Sequence, residues 1–110
     1  MKKGEIYQIF LDPVLGSEQA GRRPAVIISG NLANQHLNTV IVCPITSKLK
    51  NYRGNLILEP TEKNGLSKKS EVMPIHIRSV SKERLKSKLG SLTDAEMGLI
   101  EESLQKIIKY

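Results

Sequence analysis

The sequence predicts one mainly β domain with a C-terminal α-helix, in which short strands form a small, strongly bent sheet or barrel. Three observations lead to this fold class. Short apolar runs alternate with turn residues over most of the chain, the apolar spacing becomes helical near its end, and 110 residues allow one hydrophobic core. Residues 1–110 are therefore expected to form a single domain without internal repeats.

Strands are predicted where Ile, Val, Leu and Tyr cluster between Gly, Pro, Asn or Ser. Four such runs are residues 5–11, 25–29, 39–45 and 55–59. A fifth run, residues 72–80, alternates apolar and other residues as a strand with one buried face does. Pro74 places this strand at an edge or a bulge, because proline cannot donate a ladder hydrogen bond. Ser81 is expected to cap a short helical turn over residues 81–85.

The C-terminal helix is predicted from Asp94 to Lys109. Thr93 and Glu96 have the spacing of a capping box, and Leu92 and Met97 occupy the positions of a hydrophobic staple. The apolar residues that follow form one helical stripe of Met97, Ile100, Leu104, Ile107 and Ile108.

The net charge of +6 is concentrated in the middle of the chain. From Lys48 to Lys88 there are eleven Lys or Arg against four Glu, a balance of +7, whereas the remainder balances to −1. Such an excess favours a polyanionic partner, either a nucleic acid or an acidic protein segment. Solubility alone also accounts for a modest net charge.

The chain has the features of a cytoplasmic protein. Cys43 is the only cysteine, so it cannot form an internal disulfide, and its apolar neighbours favour a core position over a reactive thiol. No apolar run approaches the roughly 20 residues of a membrane span, and the first residues lack the apolar stretch of a signal peptide. A cytoplasmic location is therefore expected.

Several kinds of catalytic site are not indicated by the sequence. The two histidines, His36 and His76, are forty residues apart and the acidic residues are scattered, so neither a metal site nor a cofactor is expected. A lone histidine on a strand is expected to lie at the surface or to contact a partner. Gly16 and Gly21 match no nucleotide-binding spacing, and nothing local marks a nucleophile.

The residues that remain are an arginine and hydroxyl groups. A polar loop over residues 16–24 closes on Arg22 and Arg23 and leads through Pro24 into the second strand, and Thr46 and Ser47 follow the third strand. If these strand ends are adjacent, a guanidinium and two hydroxyls converge. RNA carries its own nucleophile, the 2′-hydroxyl, so such a group can cleave it without a metal. The alternative is a structural ion pair between Arg23 and Glu18, with the hydroxyls only ending a strand.

Five groups of residues along the chain form a recognisable set. They are Gly4-Glu5-Ile6-Tyr7, Leu11-Asp12-Pro13, Gly16-Ser17-Glu18-Gln19 with Gly21 and Arg23-Pro24, Pro44-Ile45-Thr46-Ser47, and Ile77-Arg78-Ser79 with Glu83-Arg84-Leu85. In this order and with this spacing they resemble the MazF/PemK family of toxin endoribonucleases, and the resemblance covers nearly the whole chain.

This resemblance implies a fold, an activity and partners. The fold is a small SH3-like β-barrel with a C-terminal helix, assembled as a homodimer. The activity is metal-independent cleavage of single-stranded RNA at short sequence motifs, which leaves a 2′,3′-cyclic phosphate and a 5′-hydroxyl. A cognate antitoxin with a disordered acidic tail is expected to neutralise the toxin. A related group with this barrel poisons DNA gyrase instead, so a non-catalytic toxin or binding module is the alternative.

The resemblance also implies site residues by position. Arg23 matches the family's catalytic arginine and Thr46 its catalytic threonine. Met73 and Ile75 stand where one branch has Arg and Asp, so roles of that pair do not transfer, and His76 stands where many relatives have Gln. Further residues are expected to contact RNA, some because of the resemblance and some because they belong to the basic stretch between residues 48 and 69. They are Ser17, Glu18, Gln19, Ser47, Lys48, Lys50, Arg53 and Arg78.

Overall fold

Seven antiparallel strands and two helices make up the part of the protein that the computed structural model describes, residues 1–10 and 22–110. In chain order they are β1 (Glu5–Phe10), β2 (Arg22–Ile27), α1 (Asn31–His36), β3 (Thr39–Thr46), β4 (Ile57–Leu58), β5 (Ser70–Val72), β6 (Arg78–Ser81), β7 (Leu85–Ser91) and α2 (Asp94–Lys109). The predicted mainly β fold with a C-terminal helix is confirmed. Short α1 and strand β7 had no counterpart in the predicted elements.

Strand β3 organises the sheet because it has partners on both edges. One edge pairs with β2, and the sheet continues from β2 through β1 to β7. The other edge is shared, since β6 pairs with the first half of β3 and β5 pairs with Ile45 and Thr46 at its end. Strand β4 adds to β5. The sheet therefore curls around the end of β3, as the predicted bent sheet requires.

The prediction of one continuous strand over residues 72–80 is wrong. A 3₁₀ turn at Pro74–His76 separates β5 from β6, with Pro74 as its first residue, where a missing N–H costs nothing. The turn carries the chain from one end of the β3 edge to the other. Ile75 and Ile77 are consequently exposed, although the alternation predicted that both would be buried.

Two apolar clusters cover opposite faces of the sheet, because successive residues of a strand point to opposite sides. One contains Val26 and Cys43 and packs against α2, and the other contains Ile27 and Val42. Cys43 is fully buried, and its burial raises the pKa of the thiol to about 12. The core position predicted for this cysteine is confirmed.

Helix α2 begins at the predicted capping box. The Thr93 hydroxyl accepts from the N–H of Glu96 at 3.1 Å, and the Glu96 carboxylate accepts from the N–H of Thr93 at 2.8 Å. Met97 is buried on the core, but Ile108 at the far end is 81% exposed. The predicted stripe therefore packs from Met97 to Leu104, whereas Ile107 and Ile108 beyond it are exposed.

The segment of residues 59–66 between β4 and β5, called here the Asn64 loop, is held by one buried amide. Asn64 Oδ1 accepts from the N–H groups of Thr61 and Leu66, both at 3.0 Å, and its Nδ2 donates to the carbonyl of Glu59 at 2.9 Å. Gly65 next to it has φ +68°, and a Cβ there would lie 1.9 Å from the Leu89 carbonyl oxygen. Only glycine fits this approach to β7.

The described part of the chain contains no helix that is both long and apolar enough to cross a membrane.

The 3₁₀ turn Lys82–Arg84 confirms the short helical turn predicted at Ser81, whose hydroxyl accepts from the N–H of Glu83 at 3.3 Å.

Candidate nucleic-acid interface

The ends of β2 and β3 bring Arg23 and Thr46 together. Strand β2 begins at Arg22, so both arginines lie on the strand and not in the loop before it. Ala25 pairs with Pro44 at the end of the ladder between β2 and β3, and Arg23 and Thr46 lie on the same two strands, each two residues beyond this pair. The convergence of a guanidinium with a hydroxyl, predicted from the sequence, therefore follows from strand pairing.

Both side chains line a cleft of about 380 Å³. The register explains its walls: β2 and β3 form one side, the turn between β5 and β6 forms the second, and the residues after β3 form the third. The lining residues are Arg23, Pro44, Thr46, Lys48, Lys50, Met73, His76 and Arg78. His76 is exposed on the 3₁₀ turn and not on a strand as predicted.

The charge of the cleft suits an anion. Arg23, Lys48, Lys50 and Arg78 contribute four positive charges, and the described residues that line it include no carboxylate. Guanidinium groups bind phosphate through two parallel hydrogen bonds, and lysines add point charge. The cleft can therefore hold the backbone of a nucleic acid, with a hydroxyl from Thr46 beside the bound phosphate.

Ser47 does not join this cleft, which corrects the prediction that both hydroxyls converge with Arg23. Arg22 alternates with Arg23 along β2, and Ser47, the first residue after β3, joins it in lining a second cavity of about 210 Å³ on the other side of β2 and β3. Arg53 is exposed in a turn and does not line the cleft either. The remaining predicted contacts, Ser17, Glu18 and Gln19, lie outside the described residues.

Residues 47–56, called here the basic loop, are held by Glu71, a residue that the sequence analysis did not single out. The Glu71 side chain is fully buried. Its Oε1 accepts from the N–H groups of Lys50 and Asn51, both at 2.8 Å, and its Oε2 accepts from the N–H of Tyr52 at 3.2 Å and from Asn55 Nδ2 at 2.6 Å. Three successive N–H groups thus surround one carboxylate.

The hydrogen bonds keep this carboxylate charged. Burial alone raises the pKa of Glu71, but hydrogen bonds from the Asn55 side chain and from three backbone N–H groups outweigh it and lower the pKa below its usual value. Asn51 has φ +55°, a left-handed conformation that asparagine tolerates and that turns its N–H inward. In the sequence, Glu71 stands between Ser70 and Val72 and has the pattern of an ordinary exposed glutamate on a strand. No local signal indicates its burial.

The chain is similar to known proteins over nearly its whole length. Residues 2–108 match the family model described as the PemK-like, MazF-like toxin of type II toxin–antitoxin systems. The chain belongs to this family. The endoribonuclease EndoA of Bacillus subtilis (strain 168) is 34% identical over 106 residues, which are 96% of this chain and 91% of that relative.

Solved structures confirm the predicted fold. The chain resembles MazF from Deinococcus radiodurans with a TM-score of 0.81 and 25% identity, over 100% of this chain and 97% of the other. A MazE–MazF structure from the same organism gives a TM-score of 0.82 and 26% identity, over 98% and 95% of the two chains. The bent sheet with its C-terminal helix is therefore the fold of this toxin family.

Proposed function

We propose that this chain, an endoribonuclease toxin of the PemK-like, MazF-like family, cleaves single-stranded RNA at short motifs without a metal ion. The observation that carries the proposal is the cleft itself, in which Arg23 and Thr46 stand together among three further cations. The family membership and the similarity to an endoribonuclease support the same reaction.

The reaction uses the nucleophile that RNA supplies. The ribose 2′-oxygen attacks the adjacent phosphorus, the bond from phosphorus to the 5′-oxygen breaks, and the products are a 2′,3′-cyclic phosphate and a 5′-hydroxyl. The proton of the 2′-hydroxyl is lost and the leaving 5′-oxygen gains one. In this proposal Arg23 neutralises the charge that develops on the phosphate and donates that proton, while Thr46 orients the phosphate or the 2′-hydroxyl.

The two cavities on either side of β2 and β3 provide a matched test. Arg23→Ala should lower the cleavage rate by about 10³-fold, because the developing charge loses its donor. Arg22→Ala removes the same side chain from the adjacent residue and should leave most of the activity. Thr46→Ala and Ser47→Ala form the corresponding hydroxyl pair. Equal losses in both members of either pair would contradict the assignment.

The same assay separates the nuclease from a gyrase poison of the same fold. Long RNA is incubated with the protein in EDTA, and the fragment ends are analysed. Discrete fragments with cyclic phosphate ends support the nuclease, and sequencing them gives the motif. An all-deoxy strand should bind and remain intact, since it lacks the nucleophile. Intact RNA together with trapped gyrase–DNA complexes would support the alternative.

The active unit is proposed to be a homodimer. Three apolar side chains near the β3–β6 pairing are exposed, namely Ile41 on β3 and Ile75 and Ile77 before β6. A chain with so small a core gains stability by burying such a surface against a second copy. Light scattering at micromolar concentration tests this directly, because a monomeric mass would contradict it.

The cognate antitoxin is proposed to bind over the cationic cleft. A disordered acidic tail can cover a long groove and neutralise its positive charge, while the ordering cost reduces its affinity. Titration of antitoxin against labelled, uncleavable RNA should displace the RNA in proportion to occupancy. A stable ternary complex with RNA still in the cleft would show that the surfaces are separate.

A further inference from the structure

The basic loop supplies two of the four cations of the cleft although it has no regular secondary structure. Lys48 and Lys50 both line the cleft, and both side chains are exposed. Irregular segments are ordered only when other groups satisfy their backbone, since fixing each residue costs about 1–2 kcal/mol of conformational entropy. The position of both lysines therefore depends on what binds the loop backbone.

The group that binds it is Glu71, and it does so next to the proposed catalytic threonine. Glu71 on β5 pairs directly with Thr46 on β3, so the two side chains project from the same face of the sheet. The Thr46 hydroxyl accepts from the N–H of Lys48 at 3.1 Å, and the Glu71 carboxylate accepts from the N–H of Lys50 at 2.8 Å. One cross-strand pair thus holds both lysine backbones.

We propose that Glu71 is a positioning residue of this site, whose buried carboxylate fixes the basic loop so that Lys48 and Lys50 face the phosphates of bound RNA. The proposal rests on the proposed function, because it names residues that order the same cleft. The proposal places a negative charge close to a site proposed to bind a polyanion. The Glu71 carboxylate accepts hydrogen bonds from the N–H groups of the loop, which offset that charge.

A carboxylate is the side chain that this position requires. All four groups that contact it are donors, and a carboxylate only accepts. Glu71→Gln preserves the shape of the side chain, but an amide NH₂ group replaces one carboxylate oxygen. Whichever oxygen is replaced, the NH₂ group faces hydrogen-bond donors and cannot accept from them. The loop then loses part of its attachment while β5 keeps its pairing.

The experiment is a double-mutant cycle between Glu71→Gln and the pair Lys48→Ala and Lys50→Ala. Its readout is binding of labelled 2′-O-methyl RNA of mixed sequence, which cannot be cleaved through the 2′-oxygen. Glu71→Gln should weaken binding by about 10-fold and flatten its salt dependence, as the lysine substitutions do. In the Glu71→Gln background, the lysine substitutions should have little further effect.

A purely structural role predicts a different result. If Glu71 only stabilises the fold, the effects on binding are additive and the salt dependence of the folded variant is unchanged, and either outcome overturns the proposal. Circular dichroism verifies folding. Should Glu71→Gln fail to fold, Asn55→Ala removes one of the four hydrogen bonds and is expected to show the same non-additivity with smaller amplitude.

Two controls complete the design. Asn64→Asp makes the opposite isosteric exchange in the Asn64 loop, which does not line the cleft, and should leave the salt dependence unchanged. Cleavage of long RNA by the unsubstituted protein is measured in parallel. If the protein does not cleave RNA but the effects on binding are non-additive, only the proposed function is contradicted. If the protein cleaves RNA but the effects on binding are additive, only the role of Glu71 is contradicted.

Discussion

The basic loop and the Asn64 loop lie on either side of the short strand β4, and in each a buried polar side chain makes several hydrogen bonds to the loop. Glu71 holds the basic loop through a charged group that accepts from four donors. Asn64 holds its own loop through a neutral amide that accepts from two N–H groups and donates to one carbonyl. Both side chains bind the backbone of an irregular loop, Glu71 with a charged group and Asn64 with a neutral one.

The difference follows from what each loop has to do. The Asn64 loop only closes against β7, so a local amide that mimics the backbone is sufficient. The basic loop must present cations at the cleft, and its anchor comes from a separate strand beside Thr46. Hydrogen bonds to a charged acceptor are about twice as strong as neutral ones, so this anchor restrains the loop more firmly.

The largest effect on stability is expected in the Asn64 loop. Gly65→Ala places a Cβ 1.9 Å from the Leu89 carbonyl oxygen at a residue with φ +68°. Relief of this clash requires the loop and β7 to separate, so the free energy of unfolding should fall by about 3 kcal/mol or more. Urea denaturation measures it. Gly30→Ala is the control, since no atom lies within 4 Å of a Cβ there.

Asn64→Asp should have the next largest effect. The new carboxylate oxygen faces the carbonyl of Glu59, to which Nδ2 donates at 2.9 Å, and two acceptors repel each other. A loss of about 2 kcal/mol in the free energy of unfolding is expected. RNA cleavage by the folded fraction should stay unchanged, and a reduced rate at full folding would show that both loops serve the cleft.

Acid should release the basic loop before it affects the Asn64 loop. The pKa of Glu71 is lowered from its ordinary value of 4.5, so its contribution to stability is present above that pH and is lost as the pH falls through the lower folded-state pKa. The difference in unfolding free energy between the protein and Glu71→Gln should narrow as the pH falls below 4.5. A constant difference would mean that the carboxylate does not titrate there.

The smallest of these effects concerns the lysines themselves. Reversal of charge at Lys48 and Lys50 should weaken RNA binding for unrelated sequences and reduce the slope of log affinity against log salt by about 1.4, at about 0.7 per phosphate contact on a single strand. The matched control is reversal at Lys68 and Lys69, which lie in the same basic stretch but outside the cleft. Equal slope changes in both pairs would indicate a general effect of net charge.

The sequence by itself determined the features that depend on neighbours a few residues away. The capping box of Thr93 and Glu96 begins α2 where its spacing predicted, because both hydrogen bonds close within one turn. The motifs around Arg23 and Thr46 likewise identified the family and the two residues that meet in the cleft.

Tertiary structure decided the features that depend on the two edges of β3. Residues 72–80 have the alternation of one strand, but β5 and β6 pair with different halves of β3 and the chain must turn at Pro74 between them. Ser47 lines a different cavity from Arg23 although it directly follows Thr46, because the chain leaves β3 at that point. Glu71 is buried and charged because a loop some twenty residues earlier folds its N–H groups over it, and that distance is beyond any local sequence pattern.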